Sequence, residues 1–132
     1  MILVDTSVII GYIRGENDRG TEKFEEVLDL NLPYGINSYI YQEVLQGALT
    51  ERDYKFLKEY LDTLKFYELL NGRESFASAA RMYFLCRKKG VVVKSMIDFI
   101  IVETALENEL FLLHNDKDFV LIKRVVPELK FY

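Results

Sequence analysis

Ile2-Leu3-Val4-Asp5-Thr6-Ser7-Val8-Ile9-Ile10 is the stretch on which the reading of the fold turns. Three uninterrupted apolar residues suit a short strand covered on both faces, the pattern of a parallel sheet rather than a half-solvated one. Asp5 ends the run. Thr6 and Ser7 follow as cap residues, and Val8, Ile9, Tyr12 and Ile13 then take helical spacing up to Gly15. The unit is strand, acid, helix.

The same unit recurs along the chain. A second helix is predicted over Thr21 to Leu30, with Phe24, Val27 and Leu28 on one face. Tyr34 to Asn37 reads as a strand, and Ser38 as the cap of a helix carrying Ile40, Val44 and Leu45. Thr50 with Asp53 resembles a capping box, with Asp in place of the usual Glu or Gln, ahead of Phe56, Leu57, Tyr60, Leu61 and Leu64. Phe66 to Leu70 reads as a third strand. Arg73 to about Lys89 reads as a long helix stopped at Gly90. Ser95 and Asp98 form another apparent capping box, before Ile97, Ile101, Val102, Ala105 and Leu106. Leu110 to Leu113 is a fourth strand, followed by a short helix around Phe119 to Ile122 and an edge strand over Leu129 to Tyr132. Strands alternating with helices through short connections predict an α/β fold with a mainly parallel sheet of four or five strands and helices on both faces. The whole chain, 1–132, reads as one domain.

Composition narrows the function. One cysteine, Cys86, and one histidine, His114, exclude an internal disulfide, a cysteine-rich zinc site and any two-histidine metal motif. The opening residues lack a charged leader region and no apolar run approaches the length of a membrane span, so a soluble cytoplasmic protein with no membrane association is expected. Acids number 21 against 17 bases, a net charge of −4, which on its face disfavours a nucleic-acid partner.

The placement of the acids says more than their number. In open parallel sheets the ligand crevice lies beyond the carboxyl ends of the strands. Asp5 ends the first strand and Asp116 lies just past the fourth. Asp98 falls in the first turn of a helix that should start on that side, and Glu43 about one turn into the helix after the second strand. Each has a plain local role available, as a cap, a turn or a solvated helix residue. Together they form a candidate oxygen-only site for a divalent cation, which would relieve their mutual repulsion and suits Mg²⁺ or Mn²⁺ over Zn²⁺.

These residues resemble the PIN-domain family, specifically the VapC-type toxins of toxin–antitoxin pairs. The landmarks are Val4-Asp5-Thr6-Ser7-Val8-Ile9-Ile10, Glu43 within Tyr41-Gln42-Glu43-Val44, Asp98 within Ile97-Asp98-Phe99-Ile100-Ile101, and Leu112-Leu113-His114-Asn115-Asp116-Lys117-Asp118-Phe119, in the family's order over essentially the whole chain. The resemblance implies a three-layer α/β/α fold and a metal-dependent endoribonuclease that hydrolyses RNA through metal-activated water. It maps Asp5, Glu43, Asp98 and Asp116 onto the catalytic, metal-holding acids. Thr6 or Ser7 maps onto the hydroxyl beside the first. It also implies a cognate antitoxin and a homodimer. The chain departs from the pattern at His114, where many members carry Thr or Ser. His114, Asn115 and Asp118 are therefore supporting candidates, and the spacing to Phe119 favours Asp116 over Asp118 as the acid facing the metal.

Arg87, Lys88, Lys89 and Lys94 form a basic cluster leading toward Asp98, readable as a solvated helix end or as a contact to RNA phosphates. The rival functions are a PIN-like RNA- or protein-binding module without catalysis, a receiver-like phospho-acceptor and a haloacid-dehalogenase-type phosphatase. The last two want a second acid beside Asp5 that Thr6-Ser7 does not supply.

Overall fold

Parallel pairing on either side of the first strand sets the layout. In the computed structural model, which describes residues 1–132, β1 (Ile2–Val4) lies at the centre of a sheet ordered β3-β2-β1-β4-β5. β2 is Tyr34–Ile36, β3 Lys65–Phe66, β4 Phe111–Leu113 and β5 Lys130–Phe131, and every pairing is parallel. Val4 stands opposite Leu113, so the residues that follow each strand leave the sheet side by side. Ile2, Leu3 and Val4 are all buried, as an unbroken apolar run in a covered strand requires.

Helices fill every crossover. α1 (Thr6–Ile13) and α2 (Arg19–Asp29) join β1 to β2, and α3 (Ser38–Gln46) and α4 (Glu51–Leu61) join β2 to β3. α5 (Arg73–Lys88) and α6 (Met96–Glu107) lead to β4, and α7 (Lys117–Val125) leads to β5. Right-handed crossovers running one way from β1 and the other way from β3 place α1 to α4 on one face and α5 to α7 on the other. The result is a three-layer α/β/α fold. α6 is the most enclosed helix, with every residue from Asp98 to Ala105 buried. Phe24, Phe99 and Phe119 are the largest wholly buried side chains, on helices of both outer layers. No helix is long and apolar enough to cross a membrane.

Local chemistry adjusts the boundaries. Asp5, not Thr6 or Ser7, caps α1, and Asn37, not Ser38, caps α3 through Ile40 N–H at 2.8 Å. α2 begins two residues before Thr21 because Asp18 accepts from both the backbone N–H and the hydroxyl of Thr21. The third strand is shorter than expected. After Tyr67 N–H donates to the Ile36 carbonyl, the chain is drawn off the ladder by α6: Asn108 Nδ2 donates to the Glu68 carbonyl, and Leu70 N–H donates to Glu107. α7 is longer than expected, capped by Asp116 and ending just before Pro127.

Asn37 links two layers as well as capping a helix. Its Nδ2 donates to Thr104 Oγ1 on α6 at 3.1 Å, and both residues are buried. Replacing Asn37 with Ala removes the cap and the bond that Thr104 Oγ1 accepts, leaving that buried hydroxyl only its donated bond to the Ile100 carbonyl. The expected loss is about 2–3 kcal/mol of unfolding free energy in urea titrations; a loss below about 0.5 kcal/mol would show that water replaces both bonds.

Candidate active site

Asp5 N–H donates to the Leu113 carbonyl at 2.9 Å, which carries the β1–β4 ladder one step past Val4. This bond fixes Asp5 beside the His114–Asp118 segment. Asp5 is 5% exposed, and its carboxylate accepts from Ser7 N–H at 3.1 Å and Ser7 Oγ at 2.6 Å, both at Oδ2. The cap and the candidate site are thus the same side chain.

Across the rim, one carboxylate oxygen from each of Asp98, Asp116 and Asp118 lies within 4.8 Å of the others. That span matches ligands on a single hard cation, whose opposite oxygens sit roughly 4–5 Å apart. Asp98 Oδ2 is buried without a hydrogen-bond partner. The capping-box reading of Asp98 fails for the same reason: Ser95 takes the N-cap position of α6 without a side-chain cap bond, and Asp98 turns toward the other acids. The structure brings together both Asp116 and Asp118, where the spacing favoured Asp116 alone. Asp116 caps α7, taking Asp118 N–H at Oδ1.

Glu43 is half-buried and accepts from Thr6 Oγ1 at 3.3 Å, so α1 orients it toward the rim. The acids perturb one another as a group. Burial, then Asp116, Asp5, Asp118 and Glu43, push Asp98 up to about 7. Burial raises Asp5 against the opposing Ser7 hydrogen bonds, with a further push from Asp116. Burial and Asp5 raise Glu43, and the Thr6 hydroxyl works the other way.

A second set of residues holds this arrangement in place. Asn115 N–H donates to Ser7 Oγ at 3.1 Å, and Asn115 Nδ2 donates to Asp18 Oδ1 at 2.8 Å. Gly20 makes this possible, since a Cβ there would overlap the Asn115 side chain. Asp18 and Gly20 went unnoticed in the sequence, although Asp18 three residues before Thr21 is a recognisable cap signal. His114 accepts Asp116 N–H at Nδ1, 3.1 Å, and its ring packs against Phe119 and Phe131. Burial lowers its pKa, and the bond at Nδ1 together with the two ring contacts shapes the loop.

The basic cluster lies on the same rim. Ser75 Oγ donates to Glu107 and the Tyr83 and Phe99 rings meet edge to face, so α5 and α6 run antiparallel. The end of α5 therefore sits beside the start of α6, close to Asp98. Arg87 lies over Tyr83 and Lys88 over Phe84, and Lys89 and Lys94 are exposed on the connection. Cys86 is buried and faces no acid of the group.

A family model described as PIN domain matches residues 2–125. Ribonuclease VapC11 of Mycobacterium tuberculosis is 27% identical over 126 residues, covering 95% of this chain and 93% of that protein. VapC ribonuclease Mb1587 of Mycobacterium bovis matches to the same extent, 27% over 126 residues. Among solved structures, VapBC2 from Rickettsia felis bound to a promoter DNA fragment superposes with a TM-score of 0.75 at 19% identity, covering 100% of this chain and 98% of that one. FitAcB from Neisseria gonorrhoeae gives 0.70 at 17% identity, with coverage of 100% and 96%.

The raised pKa of Asp98 has a stability consequence with a definite sign. Its folded value lies above its unfolded value, so its favourable contribution is present at low pH and is lost as pH rises toward and through about 7. In chelator, Asp98→Asn is expected to melt above the wild type at pH 8 and to lose that advantage near pH 4. Thermal melts across this range check it. A difference independent of pH would contradict the placement of Asp98.

Proposed function

This chain belongs to the PIN-domain family, and from that premise we propose that it is a Mg²⁺- or Mn²⁺-dependent endoribonuclease, the toxin of a toxin–antitoxin pair. The observation that carries the reading is Asp98, one of whose oxygens is buried and unpartnered, grouped with Asp116 and Asp118 and perturbed by Asp5 and Glu43. A module that only bound RNA or protein would gain nothing from an uncompensated buried carboxylate. The names of the VapC relatives support RNA as substrate, and the VapBC and FitAcB neighbours support an antitoxin partner. Action on RNA beside an antitoxin goes with a cytoplasmic location and, by family resemblance, a homodimer.

In this reading Asp98, Asp116 and Asp118 hold the cation, with Asp5 and Glu43 completing its surroundings. A bound divalent ion supplies Lewis-acid stabilisation of the phosphate and acidifies water for attack. Asp98 and Asp5, disposed toward protonation when alone, are ionised in the loaded site. Glu43 is less enclosed and its pKa is raised, which suits it to take a proton from the attacking water. Thr6 keeps Glu43 aimed, and Ser7 with Asn115 keeps Asp5 and the Asp116 loop in register. Arg87, Lys88, Lys89 and Lys94 draw the RNA backbone toward the acids, offsetting the negative charge a free phosphodiester would meet there.

Purified protein is expected to cut single-stranded RNA in Mg²⁺ or Mn²⁺ and to stop in chelator. Asp5→Asn, Asp98→Asn and Asp116→Asn should each lower the rate by about a hundredfold or more, and Ser7→Ala by about tenfold. Cleavage by Asp98→Asn in chelator at the wild-type rate would overturn the proposal. Lys88→Glu with Lys89→Glu should weaken RNA binding and flatten its salt dependence by about one to two phosphate contacts. An unchanged salt slope would assign these lysines to solvent.

A further inference from the structure

A second opening lies between the start of α3, the segment after β3 and the middle of α6. It encloses about 430 Å³, and its walls include Asn37, Gln42, Tyr67, Glu68, Phe76 and Thr104. No member of the acidic group lines it. Its volume is that of a small-ligand pocket.

Tyr67 is the residue that needs explaining. It is 5% exposed, and its hydroxyl is buried with no hydrogen-bond partner. Buried tyrosine hydroxyls ordinarily find one. The ring is packed closely along one side. Gly35 leaves room for it, since a Cβ there would stand 2.7 Å from Tyr67 Cε2, and Lys65 Nζ lies 5.1 Å from the ring centroid. The phenol is thus held in a wall of the opening with one polar valence unmet.

The other walls narrow the ligand. Asn37 and Thr104 are engaged with each other, with Ile40 N–H and with the Ile100 carbonyl, so they shape the pocket without reading its contents. No lysine or arginine lines it, and Glu68 does, which repels a phosphate. Phe76 is 46% exposed and offers an aromatic face for stacking. Glu68 is exposed, and only its Oε1 is engaged, by Ser38 Oγ at 3.2 Å. Along α6, Thr104 lies six residues from Asp98, about 9 Å of helix axis. That is a distance one or two nucleotides can span.

We propose that this pocket takes an unpaired guanine base of the RNA, close to the phosphodiester that is cut. The inference rests on the ribonuclease reading above. An ionised carboxylate is an acceptor on both oxygens. Guanine alone presents two adjacent donors, its ring N1–H and its exocyclic N2 amino group, to match them. Adenine and cytosine place a ring-nitrogen acceptor beside their amino group, against the second oxygen, and uracil flanks its one N–H with carbonyls. Guanine O6, beside N1–H on the same edge, then faces Tyr67, whose covered hydroxyl gains the partner it lacks once a small turn of the ring uncovers it, while Phe76 stacks on the base.

The test has two arms. In the first, the four nucleoside monophosphates are titrated into metal-free protein and followed by NMR. GMP is expected to shift the Tyr67 and Gln42 signals, AMP, CMP and UMP to leave them in place, and Glu68→Gln to weaken GMP by about tenfold, one charge-assisted hydrogen bond. In the second, cut ends are sequenced from randomised short single-stranded RNAs in Mg²⁺. Guanine should be enriched at one fixed position beside the cut, and that enrichment should fall by about tenfold in Glu68→Gln and also fall in Tyr67→Phe. Equal response to all four nucleotides, or to none, overturns the proposal. So does cutting with no guanine preference, which leaves the ribonuclease reading intact. Selective GMP binding without cleavage of any RNA overturns the ribonuclease reading and leaves the guanine site standing. Cross-linking of Phe76→Cys to a second copy in solution assigns the opening to a dimer contact and also overturns the proposal.

Discussion

The parallel pairing of β1 with β4 is the constraint on which the rest of the molecule depends. Val4 against Leu113, extended by the Asp5 N–H bond to the Leu113 carbonyl, delivers Asp5 and the His114–Asp118 segment to one edge of the sheet. A slip of one residue would turn Asp5 to the opposite face of the sheet. The strands are short, and the buried run Ile2-Leu3-Val4 specifies their register by having no polar residue to place elsewhere. Everything at the rim is built outward from that edge.

The arrangement works against its own stability. Five carboxylates gather at one rim, and burial together with the neighbouring acids raises the pKa of Asp98, Asp5 and Glu43. The fold offsets part of this locally. Asp5 and Asp116 sit at the N-termini of α1 and α7, where free N–H groups and the helix dipole favour negative charge. Asp98 receives no such bond, and its unpaired oxygen is where a cation would contribute most. A site that is costly when empty is also one that prefers to be filled, so metal binding and folding stability are linked here.

Much of this was legible along the chain, because strand ends and helix starts leave local marks. The unbroken run before Asp5 announced a covered strand, and the order of strands and helices announced the layers. The direction of the Asp98 side chain was not legible, since Ser95 and Asp98 carry the spacing of a capping box and only the grouping of Asp98 with Asp116 and Asp118 in three dimensions decides against it. Asp118 lost to Asp116 in the linear reading, yet a helical start at Lys117 turns both toward Asp98. Asp18, Gly20 and Asn115 meet only in three dimensions, as do Asn37 and Thr104. The net charge of −4 misled in the opposite way: it counts acids gathered at one point together with those spread over the surface, and it says little about RNA.

The central claim is that Asp98, Asp116 and Asp118 share one divalent cation, with Asp5 and Glu43 around it. Soaking crystals of this protein in Mn²⁺ and locating the ion by its anomalous scattering tests that most directly. The account predicts a single strong peak between the Asp98, Asp116 and Asp118 carboxylates, in contact with Asp98 Oδ2, and its disappearance in Asp98→Asn. A wild-type crystal with no peak there, or a peak that survives in Asp98→Asn, would contradict it.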